Sequence, residues 1–254
     1  MRARWVVALL CLAGCGAPAE PRAPEPRQEK PAPVQPRVPA SFEQSKRIAA
    51  GVYRDHRVTL YCGCAYDARR RIQPEACGYE PRRVSRRARR VEWEHLVPAY
   101  AFGHQRACWR RAACSDHTGR AYGGRRCCRQ IDDEFRRMEA DLQNLSPEIG
   151  ELNADRSSFA FAEVTGEARR YGACDFEIDR AARAAEPPPA VRGDVARAYL
   201  YMHETYGSRA LPLGEAELAR FRAWHRADPP DAWERLRDAR ITAIQGMGNP
   251  LVRR

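Results

Sequence analysis

Four positions in this chain carry side chains suited to chemistry on a charged ester: Glu94 and His95 side by side, Asn153, and Arg125 between them. An imidazole has a pKa near ambient pH, so His95 can serve as a general base. Glu94 and Asn153 offer hard oxygens suited to Mg²⁺, an ion that keeps several waters and takes few protein groups. Arginine presents a planar fork of donors that matches phosphate oxygens. Hydrolysis of a phosphodiester needs an activated water, a cation on the developing oxyanion and a grip on the phosphate.

Each residue also has an ordinary use. A lone Glu-His pair is more often a surface carboxylate beside a hydrogen-bonded core imidazole. Asn153 can cap a helix beginning near Asp155, and Arg125 and Arg126 can be plain surface charge. Neighbours in a regular strand point to opposite faces, so Glu94 and His95 meet one ion only at a strand end or bend. Pro98, just downstream, makes such an end plausible.

The elements that must position these residues are partly readable. Ser41 to Tyr53 predicts a helix capped by Ser41, with Phe42, Ile48, Ala49 and Val52 as its apolar stripe. Arg57 to Tyr61 and Val91 to Val97 read as strands. Ile131, Phe135, Met138, Leu142 and Leu145 recur at steps of 4, 3, 4 and 3, which predicts one amphipathic helix. Val195, Tyr199, Met202 and Tyr206 form another stripe, and Leu218, Phe221 and Trp224 a third. Few strands and many helices predict a helix-dominant α+β fold.

Composition adds the partner and the compartment. All but two of the 44 Lys+Arg residues are arginine, and the formal net charge of the 254-residue chain is +11. With 44% hydrophobic residues, it is not a disordered basic tail. The excess points to a polyanion, either nucleic acid or anionic lipid, and codon bias is its bland rival. Six of the arginines fall within residues 82–90, including Arg86, Arg87, Arg89 and Arg90, an exposed arm suited to backbone phosphates.

Residues 1–14 begin Met1-Arg2-Ala3-Arg4 and continue with an apolar stretch too short to span a bilayer, which describes a signal peptide. Leu12-Ala13-Gly14-Cys15 resembles a bacterial lipobox, so lipidation of Cys15 is expected, with an exported, outer-membrane-anchored product in the periplasm or on the cell surface. Residues 15–40 are Pro-rich and predict a tether with a reach on the order of 75 Å, leaving 41–254 as the folded domain. Export makes the remaining cysteines, at 62, 64, 77, 108, 114, 127, 128 and 174, candidates for four disulfides of open connectivity. A zinc site is the competing use, but Cys-x-Cys and Cys-Cys lack the usual ligand gap.

Several motifs then occur in order: Tyr61-Cys62-Gly63-Cys64, Trp93-Glu94-His95 with its flanks from Arg90 to Trp109, Gly123-Gly124-Arg125-Arg126, Met138 to Leu145, and Gly150 to Ser157. Together they resemble the bacterial endonuclease I family, secreted or periplasmic non-specific nucleases of the ββα-metal (His-Me finger) type, over about residues 45–250. The resemblance implies that His95 activates the attacking water and that Glu94 and Asn153 hold one Mg²⁺ at the leaving 3′ oxygen. It further implies that Arg125 contacts the cleaved phosphate, leaving 5′-phosphate ends. Glu139 matches a site-proximal acidic residue, and Arg126 joins the arm as nucleic-acid-binding. DNA and RNA would be the substrates of what is expected to be a monomer, with membrane contact through Cys15 only.

Departures from the family pattern are a Gln143 where His is frequent, an insertion around Arg111 to Tyr122 bringing Cys114, and the loss of two C-terminal cysteines. A bridge from Cys114 to Cys127 or Cys128 would pin the insertion. The alternative function is a non-catalytic nucleic-acid-binding envelope lipoprotein on the same fold.

Overall fold

Ser41 opens the first helix through its hydroxyl, which accepts from Gln44 N at 3.2 Å. Helix α1 (Phe42–Val52) buries Ser45, Ala49 and Val52. The structure, a computed structural model, describes residues 35–166 and 169–253. The expected signal segment, Cys15 and the tether up to residue 34 lie outside the described residues. Residues 35–40 are extended; Pro36 and Pro39 are buried, and Arg37 N donates to Gln245 O at 2.9 Å.

Residues 53–90 have little regular structure. The strand expected over 57–61 does not form. Thr59 instead enters a tight turn, its N–H donating to Cys64 O at 2.9 Å and its hydroxyl accepting from Cys64 N at 3.1 Å. Crosslinks Cys62–Cys174 and Cys64–Cys77 hold this turn, overriding the local strand preference.

The chain then forms β1 (Val91–His95), α2 (Ala99–Gly103), α3 (Ala107–Arg110), a two-strand hairpin of β2 (Cys114–Ser115) and β3 (Ala121–Tyr122), α4 (Arg125–Ile131), α5 (Asp133–Ala140), β4 (Leu145–Ile149) and α6 (Gly150–Arg156). The single helix predicted from Ile131 to Leu145 is broken twice. Asp132 caps α5 by accepting from Phe135 N at 2.9 Å, and Asp141 caps a 3-10 turn at Leu142–Asn144 by accepting from Gln143 N at 2.9 Å. Leu145 then enters β4, where Pro147 is incompatible with a continuing helix.

Strands β1 and β4 pair antiparallel, with Glu94 opposite Ser146 and His95 opposite Leu145. Helix α6 follows β4 directly, so strand, strand and helix make one local unit. Gly150 N donates to Arg90 O at 2.9 Å, and a Cβ at Gly150 would lie 2.9 Å from both Arg87 O and the Glu92 carboxylate. The helix can therefore start this close beneath β1 only with glycine there.

Two apolar clusters hold the unit. Ala49, Val52, Tyr53, Trp93, Leu142, Leu145 and Ile241 pack α1 and a C-terminal helix against the ribbon. The larger core centres on α7 (Arg192–Tyr206), where the predicted stripe residues Val195, Tyr199, Met202 and Tyr206 are all buried. It also takes in the three-stranded sheet of β5 (Ala160–Phe161), β7 (Ala184–Glu186) and β6 (Glu177–Asp179), and α8 (Glu215–Ala227). Helices α9 (Ala232–Gln245) and α10 (Pro250–Arg253) complete a helix-rich α+β fold.

All eight expected cysteines are paired. Beyond the two bridges above, Cys108–Cys128 ties α3 to α4, and Cys114–Cys127 ties the inserted hairpin to α4. The zinc reading is thereby excluded for these residues. Among the described residues no helix is long and apolar enough to cross a membrane.

Candidate active site

Strand β1 ends at His95, which is the condition for Glu94 and His95 to reach one space. Beyond it the chain bends, with Leu96 N donating to Asn144 O at 3.1 Å and Val97 N to Asn144 Oδ1 at 2.7 Å. Both side chains line a cavity of about 260 Å³, together with Phe42 from α1, Arg125 from α4, Asn153 and Arg156 from α6, and Glu92 and Arg87. The structure thus brings Glu94, His95, Arg125 and Asn153 together.

His95 is buried, and its Nε2 lies 2.9 Å from Glu139 O. A carbonyl only accepts, so Nε2 carries the proton and Nδ1 is left with its lone pair. Arg125 Nη2 stands 3.5 Å from Nδ1. Burial, then the Arg125 charge, push the imidazole pKa down to about 3, so the ring is neutral at ordinary pH. The Phe42 ring backs it at a centroid distance of 4.5 Å.

Glu94 is buried with Arg156, whose Nη1 donates to Glu94 Oε1 at 3.0 Å and to His95 O at 2.8 Å. Tyr61 donates its hydroxyl to the same Oε1 at 3.2 Å. Burial outweighs the Arg156 charge and raises the Glu94 pKa to about 7. Asn153 lies within α6, not at a cap, and its Nδ2 donates to Glu92 Oε2 at 3.3 Å. Its amide oxygen is left for another partner.

Arg125 opens α4 after Gly124, whose φ of 82° is a conformation side chains disfavour. Its Nε donates to Glu139 Oε1 at 2.5 Å, while Arg129 Nε donates to Oε2 at 2.6 Å. Glu139 is thus fully engaged by two arginines and does not line the cavity; it positions Arg125 by its carboxylate and His95 by its carbonyl. Arg126 turns the other way and lies over the Tyr122 ring at 4.5 Å. In the arm, Arg87 pairs with Glu92 at 2.5 Å, whereas Arg86, Arg89 and Arg90 line a separate groove. Arg82 is committed to Asp155 at 2.5 Å.

A profile described as Endonuclease I matches residues 43–254. The chain belongs to the endonuclease I family. It is 42% identical over 216 residues to an extracellular deoxyribonuclease of Aeromonas hydrophila, covering 84% of this chain and 88% of that protein. It is 40% identical over 224 residues to a periplasmic deoxyribonuclease of the same organism, covering 87% and 88%. An Endonuclease-1 of Buchnera aphidicola subsp. Acyrthosiphon pisum (strain APS) is 37% identical over 215 residues, covering 84% and 80%. The protein is a nuclease.

Nucleases of this family generally depend on a divalent metal, so the cavity lining can be tested against such an ion. The donors facing it, Glu94, Asn153 and Glu92, are hard oxygens. No cluster of three or more His, Cys, Asp or Glu side chains able to hold a metal occurs among the described residues. So sparse a set fits Mg²⁺, which keeps most of its water. Glu92 was within reach of sequence reasoning, because it shares a strand face with Glu94 two residues on. Arg129 was too, one helical turn beyond Arg125. Arg156 gives no such signal, since a fully buried arginine runs against its usual exposure.

Proposed function

We propose that this endonuclease I chain is a Mg²⁺-dependent endonuclease that hydrolyses phosphodiester bonds of DNA and RNA with little sequence preference, leaving 5′-phosphate ends. The observation that carries the reading is the His95 tautomer: Nε2–H is tied to Glu139 O, so Nδ1 faces the cavity as an acceptor beside Glu94 and Arg125.

His95 Nδ1 takes the proton of the attacking water. In the free enzyme it is a weak base because burial, and after it the Arg125 charge, disfavour the protonated ring; an arriving phosphodiester offsets the Arg125 charge and raises the imidazole pKa. The guanidinium nitrogens of Arg125 not used on Glu139 hold a non-bridging phosphate oxygen. Glu94 and Asn153, with Glu92 near, would hold one Mg²⁺, which supplies positive charge where the leaving oxygen develops negative charge. Arg156 keeps the Glu94 carboxylate in place, and Phe42 keeps the imidazole from turning.

Export fits the four disulfides, and a lipid-anchored product in the outer membrane, attached at Cys15 through the 15–40 tether, is proposed from the N-terminal sequence. Arg86, Arg89 and Arg90 are proposed to bind flanking phosphates.

The test is incubation of plasmid DNA and RNA with the oxidised protein, with and without EDTA. Cleavage of both, abolished by EDTA and restored by Mg²⁺, is expected. Activity that survives EDTA contradicts the metal requirement, and binding without cleavage favours the non-catalytic alternative.

A further inference from the structure

Beside the catalytic cavity lies an open groove of about 560 Å³ whose walls come from two separate segments. Arg69 and Arg71 stand on the loop stapled by Cys64–Cys77; Arg86, Arg89 and Arg90 stand on the arm that runs into β1. The walls are joined by backbone: Ile72 N donates to Arg89 O at 3.1 Å, Val91 N donates to Arg70 O at 2.9 Å, and Arg71 and Arg90 form a bridge. The spacing of the arginines is thus set by the fold and is not left to a flexible arm.

The charge in this groove is available. Among the described residues no carboxylate pairs with Arg69, Arg86, Arg89 or Arg90, whereas Arg71 is held by Asp67 at 2.6 Å. Val84 is strongly exposed at the same groove, an apolar face among cations. Phosphates need the first feature, and the sugar or base between phosphates can cover the second. Glu94 lies four residue steps beyond Arg90, roughly 13 Å at about 3.3 Å per residue. A duplex strand advances about 3.4 Å per nucleotide, so the groove lies roughly four nucleotides from the scissile bond.

We infer that this two-walled groove, with Arg69 and Arg71 opposite Arg86, Arg89 and Arg90, is a flanking-phosphate subsite that makes cleavage dependent on substrate length. The inference rests on the nuclease reading of the neighbouring cavity. Short oligonucleotides fill the cavity alone, whereas longer ones also occupy the groove and bind more tightly, without a change in the chemical step.

The test compares wild type with Arg69→Gln/Arg71→Gln, and separately with Arg86→Gln/Arg89→Gln, on four- and sixteen-nucleotide substrates. Wild type should gain at least about tenfold in kcat/KM from the short to the long substrate. Either variant should gain no more than about twofold, the loss falling on KM, and the salt slope on the long substrate should flatten by about 2 in Arg86→Gln/Arg89→Gln and by about 1 in Arg69→Gln/Arg71→Gln, where Asp67 already neutralises Arg71. Wild-type length dependence in both variants overturns the inference, as does an equal loss at both lengths. Loss of binding to phosphatidylglycerol vesicles with length dependence intact also overturns it and assigns the groove to lipid. If wild type cleaves nothing, the catalytic reading falls by itself. The subsite then stands or falls on whether a fluorescein-labelled sixteen-mer binds wild type more tightly than it binds the variants.

Discussion

His95 Nε2 meets the backbone carbonyl of Glu139 at 2.9 Å, while the Glu139 carboxylate is occupied by Arg125 and Arg129. One residue therefore sets both the tautomer of the base and the direction of the arginine that faces it, through two chemically independent groups. The carbonyl cannot be removed by substitution, but the carboxylate can.

Glu139→Gln should lower kcat by about tenfold, because Arg125 loses its ionic anchor. The acid limb of the pH profile should stay in place, since the carbonyl that fixes His95 is unchanged. Steady-state kinetics against pH check this; a variant with wild-type kcat would show that Arg125 needs no such anchor.

On the proposed mechanism, the acid limb of kcat/KM should follow Glu94. Its pKa is raised by burial to about 7, whereas the His95 imidazole stays neutral down to about 3. A cation binds the ionised carboxylate, so apparent Mg²⁺ affinity should fall about tenfold per pH unit below 7 and level off above it. Raising Mg²⁺ should move the limb to lower pH; a limb that ignores Mg²⁺ would contradict the assignment. The sign for stability is opposite. A carboxyl whose folded pKa exceeds its unfolded value binds more protons when folded, so the metal-free protein should lose thermal stability as pH rises from about 4.5 to 7.

Cys114→Ser/Cys127→Ser should destabilise the protein by about 3 kcal/mol, the value expected for a short closed loop. Activity at low temperature should fall only a few-fold, since Cys108–Cys128 still holds α4 and Arg125. Thermal melts beside initial rates separate the two effects.

Arg197 and Glu234 form a buried ion pair at 2.5 Å that joins α7 to α9. Glu234→Ala should cost about 3–5 kcal/mol, because it leaves the buried Arg197 guanidinium with only Asp194, at 3.7 Å, as a carboxylate partner. Replacing both by apolar residues (Arg197→Met/Glu234→Leu) should recover much of that loss in a denaturant titration.

The sequence was legible where one physical rule acted alone. The α7 stripe of Val195, Tyr199, Met202 and Tyr206 is buried as its spacing predicts. The steps from Ile131 to Leu145 obey the same rule, yet Asp132 and Asp141 cap new turns inside them, and Ile131 is 53% exposed. Arg57 to Tyr61 alternates like a strand, but the disulfides on either side of Gly63 impose a turn. At the site, Glu94, His95, Asn153 and Arg125 were readable from ordered motifs. Phe42 behind His95 and Arg156 beside Glu94 were not, because both depend on contacts across distant parts of the chain.

The most direct test of the account is single-turnover cleavage of a defined oligonucleotide by wild type and His95→Ala at saturating Mg²⁺, with binding measured on the same samples. Loss of the base predicts a rate lower by about 10²- to 10⁴-fold with affinity for the oligonucleotide within about twofold. A rate within threefold of wild type would contradict the assignment of His95 as the group that activates water.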